Sequence, residues 1–392
     1  MSRAPKQENW SVYIHFPWCL KRCAYCDFAT AVAAEIPRQQ YLDGILRELQ
    51  MRTVDLEPRP ISTVFFGGGT PSLWGAQPIG AVLDWLDRWG GLQQGGEFTI
   101  EANPGALEHA PLADYVAVGI NRISVGIQAL DDRRLQRLDR LHDAATARAS
   151  LAELQRLLGQ GQLQSASADL LFGAPGQGMA ELKSDLDGVL AYDLPHLSLY
   201  SLTVEEGTPL AKRVVKGLQS PPDDDLQADM LEQVPLWLAE RGLHRYEVSN
   251  FARDQHQSRH NLCYWHGGHW LAAGVGAHGH LPGLRGDLRY GNHRDHRRWF
   301  AAIETGQLPE VFREDIDGPT LLTERILTEL RLSEGIDLER LARDVGPVAA
   351  GNLRQRGLRL AAHAPLTVTA RHLRLMPHAF AQLDHWVRQL AQ

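Results

Sequence analysis

The chain has 392 residues, of which 44% are apolar, and a formal net charge of -7. These values are typical of a globular protein with a large buried core, and the acidic balance argues against partners such as nucleic acid. No run of about 18 apolar residues occurs and the first nine residues contain no apolar segment, so we expect neither an integral membrane segment nor a secretory signal. Only four cysteines are present, which favours a reducing, cytoplasmic location over a disulfide scaffold.

The first half of the chain alternates strand-like runs with helical patterns. The strand-like runs are residues 11–16, 63–66, 98–102, 122–127, 167–172 and 197–203. The helical patterns are residues 39–54, 79–89, 111–118, 144–158 and 181–191. Most of the runs are apolar throughout, as buried parallel strands are. Six such units predict an α/β fold, a partial (β/α)6 barrel with its ligand site at the carboxyl ends of the strands.

The remaining chain is predicted to add an extension and a small module. The predicted segments are a short N-terminal arm at 1–10, the barrel at 11–218, an extension at 219–318 with a helix at 226–241, and a C-terminal module at 319–392. Residues 250–300 are rich in His, Gly and Trp and show little periodicity. The module has predicted helices at 321–332, 338–345 and 348–355, a hairpin at 366–370 and 372–375, and a last helix at 379–390. This outline is winged-helix-like, but its helices mix acidic and basic residues, so we expect a lid or a docking surface instead of a DNA-binding one.

A cysteine motif follows the first predicted strand. Cys19, Cys23 and Cys26 have the spacing C-x3-C-x2-C, and thiolates are the ligands that iron–sulfur clusters require. Three thiolates can hold three irons of a 4Fe-4S cluster and leave the fourth open to the amino and carboxylate groups of S-adenosylmethionine. An electron from the cluster could then cleave the sulfonium and release a 5′-deoxyadenosyl radical. The neighbouring Lys21 and Arg22 would favour thiolate over thiol.

Two other readings of the motif stay open. Structural zinc would need a fourth ligand, which would have to be Cys263 or a distant histidine. A redox-active thiol pair is the other alternative.

Polar residues mark the ends of successive predicted strands, as a ligand site at a barrel mouth requires. The second strand ends in a glycine-rich turn, where a backbone without side chains can approach a ligand closely. The other strand-end residues are Glu101, Gln128, Arg140 shortly after the fourth strand, and Asp169.

These motifs together resemble the radical S-adenosylmethionine superfamily and, within it, the oxygen-independent coproporphyrinogen III oxidase-like branch, over roughly residues 10–390. The resemblance implies a 4Fe-4S cluster on the three cysteines. It also implies that Gly68, Gly69 and Thr70 contact the methionine part of S-adenosylmethionine. The residues implied to bind the rest of that cofactor, or to line its pocket, are Tyr13, Tyr25, Glu101, Gln128, Arg140 and Asp169. Near Asp169, this chain has Gly173-Ala174-Pro175 where the family more usually has Gly-Leu-Pro.

Three features of the sequence favour one subgroup of this branch, the HemW-type haem chaperones. The true oxidases carry a fourth cysteine two residues after the third, where this chain has Phe28, and a longer segment before the first strand. Residues 260–265 also match the HemW-like pattern His-Asn-x-x-Tyr-Trp. The candidate haem-binding residues are therefore His260, Asn261, Tyr264 and Trp265. Imidazole is a natural axial ligand of haem iron, and aromatic rings can stack on the macrocycle.

Several roles near this pattern stay undecided. A His-Asn pair before aromatic residues can also cap and pack a barrel edge. Cys263 is a buried small residue, a ligand of haem iron or a point of covalent attachment to haem. Val275 to Ala277 are expected to form a wall of the site, with no role assigned to His278.

Three functions follow from these features. The first is a haem chaperone that carries the cluster and S-adenosylmethionine and passes haem to an acceptor, such as a respiratory haem protein. The second is an oxygen-independent coproporphyrinogen III dehydrogenase, in which the adenosyl radical acts on propionate side chains. The third is another radical enzyme with an unrelated substrate. The resemblance also allows a homodimer formed through the cluster region.

Overall fold

A sheet of twelve strands forms the centre of the protein, seen here as a computed structural model that describes residues 9–33, 35–105, 108, 110–283 and 286–392. With two smaller sheets, β2-β3 and β15-β17-β16, the described residues contain seventeen strands in all. They are β1 (Trp10–Phe16), β2 (Trp18–Cys19), β3 (Ala31–Val32), β4 (Ile61–Gly68), β5 (Leu92–Ala102), β6 (Arg122–Gln128), β7 (Ser165–Phe172), β8 (His196–Ser201), β9 (His244–Arg245), β10 (Asn250–Ala252), β11 (Trp270–Gly274), β12 (His278–Pro282), β13 (Asp287–Asn292), β14 (Glu310–Ile316), β15 (Ile336–Asp337), β16 (Leu366–Val368) and β17 (His372–Leu375). Most of the predicted arm at residues 1–10 lies outside the described residues.

Helices connect the strands and cover the sheet. They are α1 (Arg38–Arg52), α2 (Ala76–Gly90), α3 (Leu112–Ala117), α4 (Asp132–Arg137), α5 (Ala144–Gly159), α6 (Met179–Leu190), α7 (Pro209–Val215), α8 (Asp224–Ala239), α9 (Arg259–Trp265), α10 (His296–Glu304), α11 (Gly318–Glu329), α12 (Leu338–Val345), α13 (Pro347–Ala361) and α14 (Leu383–Ala391). Short 3-10 helices occupy Pro71–Trp74 and Pro377–Gln382. None of the helices in the described ranges is long and apolar enough to cross a membrane.

The predicted α/β fold is confirmed in its central feature, a run of parallel strands. The strand order of the large sheet is β14-β13-β12-β11-β1-β4-β5-β6-β7-β8-β10-β9. The six predicted strands correspond to β1 and β4 to β8, which pair in parallel with their neighbours in that run. Side chains such as Val12, Ile14 and Ile100 are fully buried in the core beneath the helices. Parallel strands end at one edge, so the predicted strand-end residues meet there.

Residues 250–300 contain more regular structure than their sequence indicates. Strand β11 adds to the edge of β1 in parallel, with Ser11 opposite Trp270, and β12, β13 and β14 follow it antiparallel. Histidines, glycines and tryptophans interrupt the apolar pattern of these strands, so their periodicity is weak. The short helices α4 and α7 were also missed, and they span only 6 and 7 residues.

The C-terminal residues have a hydrophobic core of their own, which includes Ile326, Leu341, Leu353 and Leu373. The order α11, β15, α12, α13, β16, β17 matches the predicted winged-helix-like outline, with a three-stranded sheet ordered β15-β17-β16. The last predicted helix is divided into a 3-10 helix and α14. The module touches the extension where Arg325 Nη1 donates to the carbonyl oxygen of His266 over 2.8 Å.

A buried carboxylate joins the barrel to the extension. Glu48 on α1 is 0% exposed, and it accepts hydrogen bonds from Arg52 Nε at 2.7 Å and Asn292 Nδ2 at 2.7 Å. Its other oxygen accepts from the Gly274 backbone N–H at 2.9 Å and from Trp299 Nε1 at 2.9 Å. Both oxygens are therefore satisfied, so this buried charge is compatible with a stable core.

We expect Glu48→Ala to lower the free energy of unfolding by about 3–5 kcal/mol, because it leaves three buried donors, Arg52 Nε, the Gly274 N–H and Trp299 Nε1, without their acceptor, although Arg52 keeps its ion pair with Glu310. Chemical denaturation measures the change. Asp43→Ala on the exposed face of the same helix is the matched control and should change stability by less than about 0.5 kcal/mol. Equal effects of the two variants would contradict a central role for the Glu48 contacts.

Candidate functional site

The carboxyl ends of the parallel strands surround a cavity of about 400 Å³, here called the cysteine cavity. Its lining brings together all three cysteines and eight of the nine residues predicted to bind S-adenosylmethionine. These are Cys19, Cys23, Cys26, Tyr25, Gly68, Gly69, Thr70, Glu101, Gln128, Arg140 and Asp169. Tyr13 is the exception, and it lines a neighbouring cavity instead.

The three cysteines are free thiols, and the environments of Cys19 and Cys26 oppose ionisation. Burial raises the pKa of Cys19 to about 12, and burial also raises the pKa of Cys26. A ligand must be a thiolate, so the positive charge of bound iron would have to offset this cost. Among the described residues, three ligand atoms lie within 4.8 Å of one another only in a group of two histidines and an aspartate, which is not part of the cysteine motif. The three cysteine sulfurs are therefore farther apart than the ligands of a single metal ion.

Of the two basic residues in the motif, Arg22 favours a cysteine thiolate as the sequence predicts, whereas Lys21 pairs with an aspartate. Lys21 Nζ pairs with Asp139 at 3.3 Å, and Arg22 donates to the carbonyl oxygen of Cys26 at 3.0 Å, where its charge favours the Cys26 thiolate. The guanidinium that reaches a cysteine sulfur is Arg140, whose Nη1 lies 3.4 Å from Cys23 Sγ. Arg140 thus lies beside the motif cysteines, which its position after the fourth strand did not indicate.

Cys263 does not belong to the cysteine cavity. It lies on α9, and its Sγ approaches the carbonyl oxygen of His269 at 3.7 Å. A zinc site made of the three motif cysteines and Cys263 would need the four sulfurs around one ion. The structure gives no such arrangement among the described residues.

The glycine-rich turn after β4 packs directly against the cysteine loop. Gly68 has a φ of +121°, and a Cβ there would meet the carbonyl oxygen of Phe16 at 2.7 Å. A Cβ on Gly69 would meet the carbonyl oxygen of Trp18 at 2.7 Å and Cys19 Sγ at 3.0 Å. Both positions therefore require glycine. A side chain would clash at either position, and the backbone conformation of Gly68 also disfavours any other residue.

Two acidic side chains lie in the same wall. Glu101 Oε2 accepts a hydrogen bond from the Gly68 backbone N–H at 3.1 Å, and Asp169 accepts one from Ser124 Oγ at 2.9 Å. Burial, together with the charge of Asp169, raises the pKa of Glu101 to about 8, against the lowering effect of the Gly68 N–H. Burial also raises the pKa of Asp169, although neighbouring serine hydroxyls oppose it. Glu101 is therefore poised to lose a proton when a ligand that favours its charged form binds.

Gln128 and Asn103 complete this wall. The β6–β7 register shifts between Val125 and Gln128, and Gln128 has a φ of +63°, a left-handed conformation that is rare for this residue type. Asn103 was not singled out from the sequence, yet it accepts from Arg140 Nη2 and donates to Thr70 Oγ1 at 3.1 Å. Its position just after a predicted strand, two residues beyond Glu101, is the sequence feature that could have identified Asn103 as a site residue.

A second cavity of about 530 Å³, here called the histidine cavity, adjoins the first. Both cavities share lining from Asp27, Phe28, Gly68, Glu101, Asp169 and Tyr200, so these residues form a wall common to the two. Its other lining residues include the predicted Tyr13, His260, Asn261 and Tyr264 and the unpredicted His15, Phe65, Trp270, His278 and Arg294. Trp265 does not join this group, since Arg331 of the C-terminal segment lies 4.8 Å from the centre of its ring.

His260 is held in a closed network. Its Nδ1 pairs with Thr63 Oγ1 at 2.8 Å and its Nε2 with the Tyr264 hydroxyl at 2.7 Å, while its ring stacks on Phe65 with centroids 5.1 Å apart. Burial lowers the pKa of His260 to about 3, so the ring is neutral at physiological pH. The side chain thus forms part of the cavity wall.

Comparison with known proteins agrees with this geometry. The radical SAM superfamily profile matches residues 13–187. The chain is 40% identical to the "Heme chaperone HemW" of Haemophilus influenzae over 289 residues, which cover 72% of this chain and 73% of the relative. It is 36% identical to the protein of the same name from Mycobacterium tuberculosis H37Rv over 338 residues, 85% of this chain and 84% of the relative. Coproporphyrinogen III oxidase from Escherichia coli has the same fold, with a TM-score of 0.82 at 19% identity over 100% of this chain and 92% of that one.

Cys23→Ser should remove the cluster, because two remaining thiolates cannot hold the irons that three ligate. Iron and sulfide content, with the visible charge-transfer absorbance after anaerobic reconstitution, measures the loss. Cys263→Ser is the matched control and should keep full cluster content, since its sulfur lies outside the cysteine cavity. Full iron in the Cys23→Ser protein would refute the ligand assignment.

The affinity of the reconstituted protein for S-adenosylmethionine should rise as the pH increases towards 8, the pKa of Glu101. Below that pH the side chain is neutral and offers a weaker acceptor to the ligand. Glu101→Gln should weaken binding and flatten this dependence, whereas Glu232→Gln on the exposed face of α8 should preserve it. Binding isotherms at several pH values test this, and an unchanged slope in Glu101→Gln would exclude Glu101 as the titrating group.

Proposed function

Because this chain belongs to the HemW family of radical S-adenosylmethionine proteins, we propose that it is a haem chaperone, which binds haem and transfers it to an acceptor protein. Its cysteine cavity would hold a 4Fe-4S cluster on Cys19, Cys23 and Cys26, with S-adenosylmethionine at the open iron. When bound, these groups supply one-electron chemistry. The observation that carries the proposal is the histidine cavity, which adjoins the cysteine cavity and is large enough for a second, flat ligand.

The size and lining of the histidine cavity suit a porphyrin. Its volume of about 530 Å³ falls within the range of about 300–1,000 Å³ typical of cofactor sites. Aromatic rings of Tyr13, Phe65, Tyr264 and Trp270 line it, and flat apolar surface of this kind packs against a macrocycle. Arg294 at the rim donates to the carbonyl oxygen of Asp27 at 2.9 Å and leaves its remaining guanidinium donors for a propionate.

The hydrogen bonds of the histidines favour one iron ligand over the others. In His15, His196 and His260, both ring nitrogens already have partners. No hydrogen bond of the His278 ring is found among the described residues, and that side chain is exposed at the start of β12. We therefore propose His278 as the axial ligand. His260, which the sequence pattern suggested, could ligate iron only by giving up its bond to Thr63 or Tyr264.

Decarboxylation of coproporphyrinogen III is the alternative function. The fold resembles that of the oxidase, but this likeness at 19% identity concerns architecture alone. Phe28 stands where the oxidases have a fourth cysteine, and its 61% exposed ring lines both cavities. The position thus offers an apolar surface at the opening instead of a thiol.

The two functions separate in one pair of measurements on the anaerobically reconstituted protein. Titration with haem should give tight equimolar binding, and incubation with coproporphyrinogen III, S-adenosylmethionine and a reductant should give no porphyrin product. Release of bound haem to apomyoglobin then tests whether the haem can be transferred. Catalytic formation of protoporphyrinogen would mean that the chain is an enzyme of haem synthesis.

His278→Ala should weaken haem binding at least about tenfold and change the absorption spectrum of the bound haem, because the iron loses its axial nitrogen. His260→Ala should change the spectrum less, and His363→Ala on the exposed C-terminal surface should match the wild type. Cluster content should stay constant in all three proteins. If His260→Ala abolishes the axial signature and His278→Ala keeps it, the ligand is His260.

A further inference from the structure

Two histidines and an aspartate converge at one end of the strands β11, β12 and β13, outside the cysteine cavity. His269 immediately precedes β11, His280 lies in β12, and Asp287 begins β13. The pairing of Trp270 with His280 and of Pro282 with Asp287 brings the three side chains to one place. One ligand atom from each lies within 4.8 Å of the other two.

The distances are those of a compact ligand set. His269 Nε2 lies 3.0 Å from Asp287 Oδ1, and His280 Nε2 lies 3.4 Å from Asp287 Oδ2. The carboxylate thus faces both imidazoles with one oxygen each.

The tautomer of His280 gives an independent reason to expect a cation. Its Nδ1 lies 2.9 Å from the carbonyl oxygen of Gly268, and a carbonyl can only accept, so Nδ1 carries the proton. In the neutral ring, Nε2 is then a bare lone pair, directed towards a carboxylate oxygen. His280 is 5% exposed, and its Nε2 has no hydrogen-bond partner among the described residues. Two facing lone pairs repel each other unless a cation lies between them.

We propose that His269, His280 and Asp287 bind a divalent transition-metal ion of the zinc type, with at least one position left for water. Imidazole and carboxylate ligands suit this class of ion, and three protein ligands leave a tetrahedral site open. The Nδ1–H bond of His280 to a backbone carbonyl is the outer contact that commonly orients a metal-bound histidine. The proposed metal site needs no ligand from the cysteine motif or from Cys263.

An ion bound to His269, His280 and Asp287 would stabilise one wall of the histidine cavity. The ring of His280 lies 5.2 Å from that of Trp270, whose ring lies 4.5 Å from Tyr264, and both aromatic residues line the cavity. An ion that fixes His280 would therefore restrict the movement of this aromatic pair. The ion binding itself does not depend on the proposed haem function.

The rival explanation is a metal-free triad in which a proton on His280 supplies the positive charge. Both explanations predict that Asp287→Asn destabilises the protein, so stability alone cannot separate them. Only a metal site predicts stoichiometric binding of an added ion and a rise in melting temperature on its addition.

The test uses protein whose cluster has been reconstituted, so that the motif cysteines are occupied, and which has then been treated with a chelator and desalted. Titration with Zn²⁺ should show one equivalent bound, and Co²⁺ should give the visible absorption of a tetrahedral or five-coordinate site. His280→Gln and Asp287→Asn should each weaken binding by more than about 100-fold, beyond the loss typical of outer-contact changes. His363→Gln, on the exposed surface of the C-terminal module, should bind Zn²⁺ as the wild type does.

Circular dichroism must show that each variant is folded, and His269→Gln serves as the second variant if one is not. A protein with all three motif cysteines replaced by serine should still bind the ion, which separates this site from adventitious binding to free thiols. Absence of a stoichiometric site in the wild type, or an affinity unchanged in folded His280→Gln and Asp287→Asn, would overturn the proposal. Selective binding of Fe²⁺ over Zn²⁺ would overturn the zinc-type assignment.

Discussion

The close approach of two backbone segments, the turn after β4 and the loop after β1, determines the site. The Gly69 N–H donates to the carbonyl oxygen of Phe16 at 2.7 Å, and the Thr70 N–H donates to that of Trp18 at 2.9 Å. These bonds hold Cys19 against the end of the sheet, and no side chain larger than hydrogen would fit at Gly69. The same turn offers the Gly68 N–H to Glu101, so the carboxylate wall takes its position from the same contact.

The wall between the two cavities concentrates the charge of the site. Glu101 and Asp169 face both cavities, and burial disfavours the charged form of each. Arg140 contributes a fixed positive charge beside Cys23 on the cysteine side. A ligand that ionises or neutralises either carboxyl in one cavity therefore changes the electrostatic potential in the other. The two proposed ligand sites would thus be coupled through this wall without any need for a backbone movement.

The sequence predicted the structural features that depend on local residue patterns. It did not predict the contacts that depend on which residues pair across neighbouring strands. The apolar runs identified β1 and β4 to β8, and the motif residues at strand ends meet in one cavity because parallel strands end together. The strands β11 to β13 carry His, Gly and Trp in place of a regular apolar pattern, so they were not recognised. The cluster of His269, His280 and Asp287 arises from cross-strand pairing between them. Likewise, only the three-dimensional hydrogen bonds distinguish the engaged His260 from His278.

The pairing of β1 with β11 makes the order of assembly differ from the order of synthesis. The two strands lie more than half the chain apart in sequence, yet β11 covers one edge of the first strand of the barrel. Until the ribosome has delivered the extension, that edge presents unpaired N–H and C=O groups flanked by apolar side chains, a template for aggregation. A chain cut at residue 218, where the sequence suggests a boundary, would keep this bare edge permanently. The barrel and its extension therefore constitute one cooperative folding unit, and their long-range pairing predicts slow folding.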